Sequence, residues 1–257
     1  MKKIRHLFLV MLLIFSLNLN AQDAKTISKK AEEAIQIQSM EMVSTLKIYN
    51  AKGDERLRTL TTATRKFGEV SKTLIRFIEP ADIKGTTLLI FDYDNRDDDL
   101  WIFMPALRKT RRIVSSEKGK FFMGSEFTHA DMTRPNIDDF TYRLLGEESI
   151  DGIVCRIIEA LCISETLANE YGYSKRRAWI GKEDNLTRKV CYSDRDGVLL
   201  RTQLIKDYRK QPDNRYFAFF MEMKNNRNDR RSTLTINEFQ SGSSLAEGSF
   251  SPSMLEN

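Results

Sequence analysis

The feature that most constrains the fold is a long series of short period-two segments, which starts near residue 40 and ends near residue 239. In the first segment Met42, Leu46 and Ile48 alternate with polar residues, as in a strand with one buried face. Turn sequences such as Asp151-Gly152 separate later segments. The series therefore predicts a mainly β (α+β) protein with an antiparallel meander. Besides a polar, Thr-rich segment at 55–67, the predicted strands are 40–48, 70–79, 86–93, 99–104, 109–114, 141–148, 153–163, 175–181, 186–193, 198–208, 215–224 and 231–239.

Two segments follow a helical pattern instead. In residues 24–38, Ile27 and Ala31 recur on one face and charged residues occupy the other. A shorter helical candidate runs from 125 to 132. No internal repeat or Pro-, Gly- or Ser-rich linker divides the chain, so residues 22–257 are predicted to form a single domain.

Several predicted strands are apolar on both faces, in particular 88–91, 100–104 and 216–221. An antiparallel sheet with one solvated face should alternate, so the second face of these strands needs a cover. Two interpretations remain open. One is a two-layer core, and the other is a curved sheet around an apolar cavity, covered by the two helical segments.

The N-terminus has the layout of a secretory signal peptide. A basic start at 1–5 precedes an apolar run at 6–19, and Ala21 provides a small residue before the expected cleavage. We expect residues 1–21 to be removed near Ala21 and the protein to be exported to the periplasm, with no membrane span after cleavage. Export permits disulfides, but the pairing of the three cysteines stays open: Cys155, Cys162 and Cys191.

Charge and histidine content exclude several functions. Lys2, Lys3 and Arg5 contribute three units to the formal net charge of +5, which leaves a net charge of +2 after the signal peptide is removed. No nucleic-acid partner is expected from so small an excess. The chain has two histidines, His6 and His129, so the exported protein lacks the residues for a three-histidine zinc site. We expect no metal and no cofactor.

The candidates for catalysis are weak. His129, Ser125 and Asp131 lie too close in sequence to supply a triad, and no G-x-S-x-G motif is present. The acidic segment 92–99 lacks the glycine and glutamate of a calcium loop, which favours a solvated hairpin turn. The basic segment 206–231, taken with Arg201, is interpreted either as solvated hairpin ends or as a surface for anionic lipid or an acidic partner.

The most distinctive segment is 99–112, DLWIFMPALRKTRR, in which an apolar strand ends in a cluster of cations. Such a wall suits a ligand with an apolar tail and an anionic head. The predicted head or mouth residues are Arg108, Arg111 and Arg112. The predicted apolar lining comprises Leu89, Phe91, Trp101, Phe103, Phe122, Phe127, Phe217, Phe219 and Met221, with the inward-facing set left undecided.

The blocks KGTTLLIFDYDNRDDDLWIFMPALRKTRRI and FMGSEFTHADM resemble the signature of the outer-membrane lipoprotein-sorting proteins, relatives of the LolA and LolB carriers. The resemblance extends over roughly residues 35–250. It implies a half-open antiparallel β-barrel of about eleven strands with a helical lid over a hydrophobic cavity. It also implies a non-enzymatic periplasmic carrier of lipid or lipoprotein acyl chains. In several relatives the partner is an inner-membrane transporter of the efflux-pump superfamily.

An alternative from a different functional class remains. An envelope-stress sensor or adaptor would bind another protein through the same sheet. That alternative predicts a cavity filled by the chain's own side chains and an interface at 206–231. A β-rich hydrolase is a third hypothesis, which would require a role for His129.

Overall fold

The computed structural model describes residues 23–94 and 96–256, so the predicted signal peptide at 1–21 lies outside the described residues. Thirteen strands form one sheet. They are β1 (Ser39–Tyr49), β2 (Glu55–Phe67), β3 (Val70–Glu79), β4 (Thr87–Tyr93), β5 (Asp99–Met104), β6 (Lys109–Ile113), β7 (Phe140–Ile150), β8 (Ile153–Cys162), β9 (Lys175–Gly181), β10 (Thr187–Ser193), β11 (Leu199–Lys210), β12 (Tyr216–Asn225) and β13 (Arg231–Ser241).

The sheet is a meander that is joined through its first and last strands. Consecutive strands pair antiparallel with each other except β6 and β7, and β1 also pairs antiparallel with β13. The two edges are therefore β6 and β7, which do not pair with each other. The predicted mainly β, half-open barrel is confirmed, with thirteen strands in place of about eleven.

The two faces of the sheet are distinguished by their packing. Leu100 on β5, Phe140 on β7 and Ile158 on β8 belong to one hydrophobic cluster, although β5 and β8 lie at opposite ends of the strand order. A sheet brings residues from both of its ends into one cluster only on its concave side. We call this side the inner face and the opposite side the outer face. On β4 the side chains alternate, so Leu88 and Ile90 are inner while Leu89 and Phe91 are outer.

The inner face is covered by α1 (residues 23–35) and by residues 114–139, which we call the lid. The predicted helix at 24–38 is confirmed but ends earlier, because β1 begins at Ser39. The lid connects β6 to β7 and contains α2 (Ser115–Lys118). A third helix, α3 (Glu165–Tyr171), was not predicted. The Ser164 side chain caps its N-terminus, and Gly172 ends it with a left-handed backbone conformation.

The helix predicted at 125–132 is wrong. Only Ala130–Met132 forms a single 3₁₀ turn, and the preceding residues are irregular. Local side-chain hydrogen bonds compete with the helix there: Ser125 Oγ donates to the carbonyl of Phe122, and the Thr128 amide donates to the Asp131 carboxylate.

The outer face of β2–β5 is covered by the C-terminal segment 242–256, which we call the strap. Phe250 and Leu255 of the strap are almost fully buried and pack with Leu89. The strands that are apolar on both faces therefore have two covers, the lid and α1 on the inner face and the strap on the outer face.

Candidate functional site

The lid contributes apolar side chains to the inner face. Phe122 and Phe127 are buried in the large hydrophobic cluster. The ring of Phe122 lies 5.6 Å from that of Phe77 on β3, and 5.7 Å from the imidazole of His129. From α1, Ala24 and Ala31 enter the same cluster. The inner face therefore carries a large apolar cluster that the chain's own segments cover.

Polar contacts hold the centre of the lid to the sheet. Arg201 on β11 forms an ion pair with Asp131 of the lid, and its guanidinium also donates to the carbonyl of Glu126. Thr128 donates its amide and hydroxyl hydrogens to the same Asp131 carboxylate. Arg58 on β2 donates to the carbonyl of Met123. These contacts replace water for polar groups that would otherwise be buried without partners.

The Glu126 carboxylate is a second polar anchor of the lid. Its side chain is 1% exposed and accepts a hydrogen bond of 2.8 Å from the Asn225 amide on β12. Nε of Arg230 lies 2.9 Å from Glu126 Oε1, a charge contact whose angles are not those of a hydrogen bond. The Glu126 amide donates to the Ser232 hydroxyl on β13. One buried carboxylate thus joins the lid to β12 and to the β12–β13 connection.

The two ends of the lid are held by ion pairs as well. Arg134 forms a bidentate pair with Asp92, at 2.8 and 3.0 Å, and also contacts Asp94. Lys118 Nζ lies 2.7 Å from Glu170 on α3. Around these groups, α1, the β4–β5 turn and α3 enclose a polar cavity of about 470 Å³.

A carboxyl group in this polar cavity has a perturbed affinity for protons. Burial, reinforced by the neighbouring Asp92 carboxylate, raises the pKa of Asp98 to about 6. Lys118, at 3.9 Å, opposes the rise. The acidic segment was predicted to be a solvated turn. In the structure its residues Asp92, Asp94 and Asp98 instead contact Arg134 and Lys118 and so help to hold the two ends of the lid.

The predicted lining residues lie on both faces of the sheet. Phe122, Phe127 and Met221 belong to the inner-face cluster. Strand alternation places Phe217 and Phe219 on the face of Met221, where both rings pack against Phe239. Four members of the set belong instead to the outer-face cluster under the strap: Leu89, Phe91, Trp101 and Phe103.

The three predicted arginines differ in their partners. Arg111 pairs with Glu117 at 2.7 Å, and Arg112 pairs with Asp99. Arg108 follows the 3₁₀ turn Pro105–Leu107 and borders an outer-face pocket beside Phe103. The expected cluster of free cations is therefore divided, and Arg108 is the member that faces a pocket.

The strap residues were not predicted from the sequence. Leu245, Phe250 and Leu255 recur at intervals of five in a tail otherwise rich in Ser, and that spacing was the available signal. Their partners include Phe67, whose ring lies 5.8 Å from that of Phe250. The Arg201–Asp131 pair was also missed, because its two residues are distant in sequence.

His129 and the cysteines occupy structural environments. The imidazole Nδ1 of His129 lies 3.0 Å from the carbonyl of Lys120, and burial lowers its pKa. All three cysteines are free thiols. Burial raises the pKa of Cys162 to about 11, which disfavours a reactive thiolate.

The basic segment 206–231 is largely neutralised by ion pairs within the protein. Arg227 pairs with Asp194, and Arg231 pairs with Glu222. Arg215 donates to the carbonyl of Glu33 at the end of α1. These contacts favour the interpretation of solvated, internally paired hairpin ends over that of a free cationic surface.

Solved structures of other proteins superpose on this half-open barrel and its helical cover. A domain named for outer membrane lipoprotein sorting, from Vibrio parahaemolyticus, superposes with a TM-score of 0.85 at 25% identity, covering 93% of this chain and 100% of that one. A DUF1329 family protein from Desulfovibrio piger superposes with a TM-score of 0.84 at 26% sequence identity, covering 92% of this chain and 99% of that one. A LolA superfamily protein from Nitrosomonas europaea superposes with a TM-score of 0.68 at 21% sequence identity, covering 89% of this chain and 97% of that one.

The predicted resemblance to the outer-membrane lipoprotein-sorting proteins is confirmed by these structures. A family model described as "-like: Uncharacterized protein" matches residues 69–257, and the chain belongs to that family. No curated protein matches the sequence. Within residues 23–94 and 96–256, no helix combines the length and apolar character needed to cross a membrane.

Proposed function

We propose that this protein is a non-enzymatic periplasmic carrier, which holds an acyl chain of a lipid or lipoprotein against the inner face of its half-open barrel. One observation carries the proposal. The inner face carries a large apolar cluster, and its main cover is the lid, a segment without strands that polar contacts tie to β2, β11 and β12. Such a cover can separate from the sheet without breaking any strand pair.

The energetics are compatible with exchange between lid and ligand. Burying an acyl chain is favourable by about 0.8 kcal/mol per CH₂, so a 16-carbon chain gains on the order of 10 kcal/mol before ordering costs. A hydrogen bond to a charged group is worth about 1.5–3 kcal/mol. An acyl chain would take the place of the apolar contacts that Phe122 and Phe127 make with the inner face, and its gain is of the same order as the cost of breaking the charged contacts of Asp131 and Glu126.

Resemblance supports the remaining parts of the proposal. The similarity to a domain named for outer membrane lipoprotein sorting supports a lipid or lipoprotein as cargo. The predicted signal peptide supports the periplasm as its location. We also propose an inner-membrane transporter of the efflux-pump superfamily as a partner, on the sequence resemblance alone.

The test is photo-crosslinking with a palmitoyl lipid that carries a diazirine at mid-chain, after incubation with the exported protein. We expect labelling of lid and inner-face residues such as Phe122, Phe127 and Met221. Glu126→Gln removes the charge that anchors the lid and should accelerate lipid uptake. Glu147→Gln is the matched control, since Glu147 forms an exposed pair with Lys182. Labelling confined to the outer face would contradict an inner-face site.

One observation favours the protein-binding adaptor as a second candidate. The inner face is filled by side chains of the lid and α1, as that alternative predicted. Native mass spectrometry of protein purified from the cell envelope without detergent separates the two functions. A bound mass of lipid or lipopeptide size supports the carrier. An apo mass that is unchanged after incubation with lipids would reject the carrier in favour of the adaptor.

A further inference from the structure

The outer face carries a row of residues in which an arginine has threonines as its cross-strand neighbours and lies beside a row of apolar residues. The pairing of β2 through β6 aligns one residue from each strand across the sheet: Thr61, Arg76, Thr87, Phe103 and Thr110. The adjacent row contains Leu74, Leu89 and Trp101. Arg76 therefore lies on the apolar outer face beside the strap.

Arg76 is a cation without a protein partner in the described part of the chain. Its Nε is buried and makes no hydrogen bond, and Arg76 is in none of the ion pairs found there. Leaving a buried donor of a charged group unsatisfied is costly, and a ligand that supplies a hydrogen-bond acceptor would remove that cost. Arg108, which follows β5, also forms no ion pair among the described residues, whereas Arg111 and Arg112 are both paired.

These two arginines border the same pocket. A pocket of about 480 Å³ is lined by Arg76 and Arg108 together with Phe103, Pro105 and Leu255. Its wall is tight at Gly85, where an added Cβ would lie 3.1 Å from Cγ of Pro105. The pocket thus combines apolar walls with two guanidinium groups, and Glu256 is its only acidic lining residue among those described.

Arg76 also borders a larger groove, which the strap residues Leu245, Ser249 and Met254 help to line. This groove has a volume of about 700 Å³, and its apolar lining includes Val43, Ala63, Leu74 and Met254. Glu41 and Glu238 lie along it as well. Their charge disfavours an anionic group in the groove, so an anion would be placed at the Arg76 and Arg108 end and an apolar chain in the groove.

We propose that the outer face binds a long-chain fatty acid, with its carboxylate at Arg76 and Arg108 and its chain in the groove beside the strap. Guanidinium groups match carboxylates in charge and hydrogen-bond geometry. The strap already packs Leu245, Phe250 and Leu255 against this face, so the surface is one that binds apolar side chains. This site is separate from the inner-face carrier site and uses the opposite side of the sheet.

The test measures binding of palmitate and of hexadecanol, its analogue with a neutral head, by titration calorimetry. Arg76→Gln should weaken palmitate binding by about tenfold or more, because a charged hydrogen bond is lost, and should leave hexadecanol binding unchanged. Ala63→Phe fills the groove and should weaken both ligands. Arg195→Gln, in an exposed ion pair with Glu165, is the matched control. Circular dichroism confirms that each variant folds.

Three outcomes would overturn the site. The first is palmitate affinity that is unchanged in both Arg76→Gln and Ala63→Phe. The second is an equal loss in Arg195→Gln, which would indicate a general charge effect. The third is palmitate binding that responds to Glu126→Gln and to neither outer-face variant, which would assign the ligand to the inner face. Failure here leaves the carrier proposal standing, since that proposal is tested by inner-face labelling.

Discussion

Arg201 on β11 and Asp131 in the lid form an ion pair inside the barrel, with Nη1 of the arginine 2.5 Å from Oδ2 of the aspartate. Their side chains are 4% and 9% exposed. The guanidinium also lies 4.8 Å from the centre of the Tyr192 ring. A buried ion pair in this position helps to fix where the lid lies on the inner face.

Removing Asp131 should therefore destabilise the protein. Asp131→Ala leaves the Arg201 charge buried without its carboxylate, and we expect a loss of about 3–5 kcal/mol in the free energy of unfolding. Urea denaturation measures it. Glu147→Ala, at an exposed pair, should cost less than about 1 kcal/mol. Equal effects of the two substitutions would show that the buried pair does not anchor the lid.

The contact between the lid and α3 depends on a glycine. A Cβ at Gly119 would lie 2.8 Å from Cα and 2.9 Å from N of Gly172, which are backbone atoms that have little freedom to move. Gly119→Ala should destabilise the protein by about 1–3 kcal/mol through overpacking. Gly248→Ala, where the added methyl group meets no atom within 4 Å, is the control. Thermal denaturation of both variants measures their stability. A Gly119→Ala variant as stable as the unsubstituted protein would contradict the close approach of Gly119 and Gly172.

Asp98 should make stability depend on pH. Its folded-state pKa of about 6 lies above the ordinary value of 3.8, so the folded protein binds this proton more tightly than the unfolded chain. The contribution of Asp98 is therefore fully present below about pH 4 and is lost as the pH rises through about 6. Asp98→Asn should remove about 1–3 kcal/mol of this pH dependence. The measurement is urea denaturation of both proteins between pH 4 and 7. If the free energy of unfolding changes with pH by the same amount in Asp98→Asn as in the unsubstituted protein, the prediction is wrong.

The strap should contribute to stability through Phe250, which is 1% exposed. Phe250→Ala removes its contacts with Phe67 and Leu89, and we expect a cost of about 3–5 kcal/mol. Met254→Ala, at a half-exposed position of the same strap, should cost much less. Chemical denaturation gives both values. Protease digestion should also cleave the strap faster in Phe250→Ala, and equal cleavage rates would argue against docking through this ring.

Most strands could be predicted from the sequence because period-two alternation and turn residues are local signals. The apolar runs of β4 and β5 also indicated that both of their faces are covered. The identity of the two covers was less accessible. The lid is held by pairs such as Arg201–Asp131, whose members come from distant parts of the chain, and its irregular backbone has no periodicity.

The candidate site illustrates the same limit. The predicted lining grouped Leu89 and Trp101 with Phe122 and Met221 because all four are apolar. In the structure Leu89 and Trp101 lie on the outer face, and Phe122 and Met221 lie on the inner face. A shift of one residue in strand register exchanges the two faces, and register depends on partners that composition does not reveal. The cation cluster could likewise be recognised in the sequence. The ion pairs that neutralise Arg111 and Arg112 could be identified only from the three-dimensional structure.

The pairing of β1 with β13 has a topological consequence. Gly242, at the start of the strap, donates its amide hydrogen to the carbonyl of Ser39 at 2.8 Å, so the first strand begins where the last one ends. The lid is the only chain segment that connects β6 with β7. A circular permutant of residues 39–242 that joins 242 to 39 and opens the chain within the lid would therefore preserve every strand pair, although it would lack α1 and most of the strap. In such a molecule every strand pair of the barrel would remain, while the lid would be divided into two segments, each attached to the barrel at one end and free at the other.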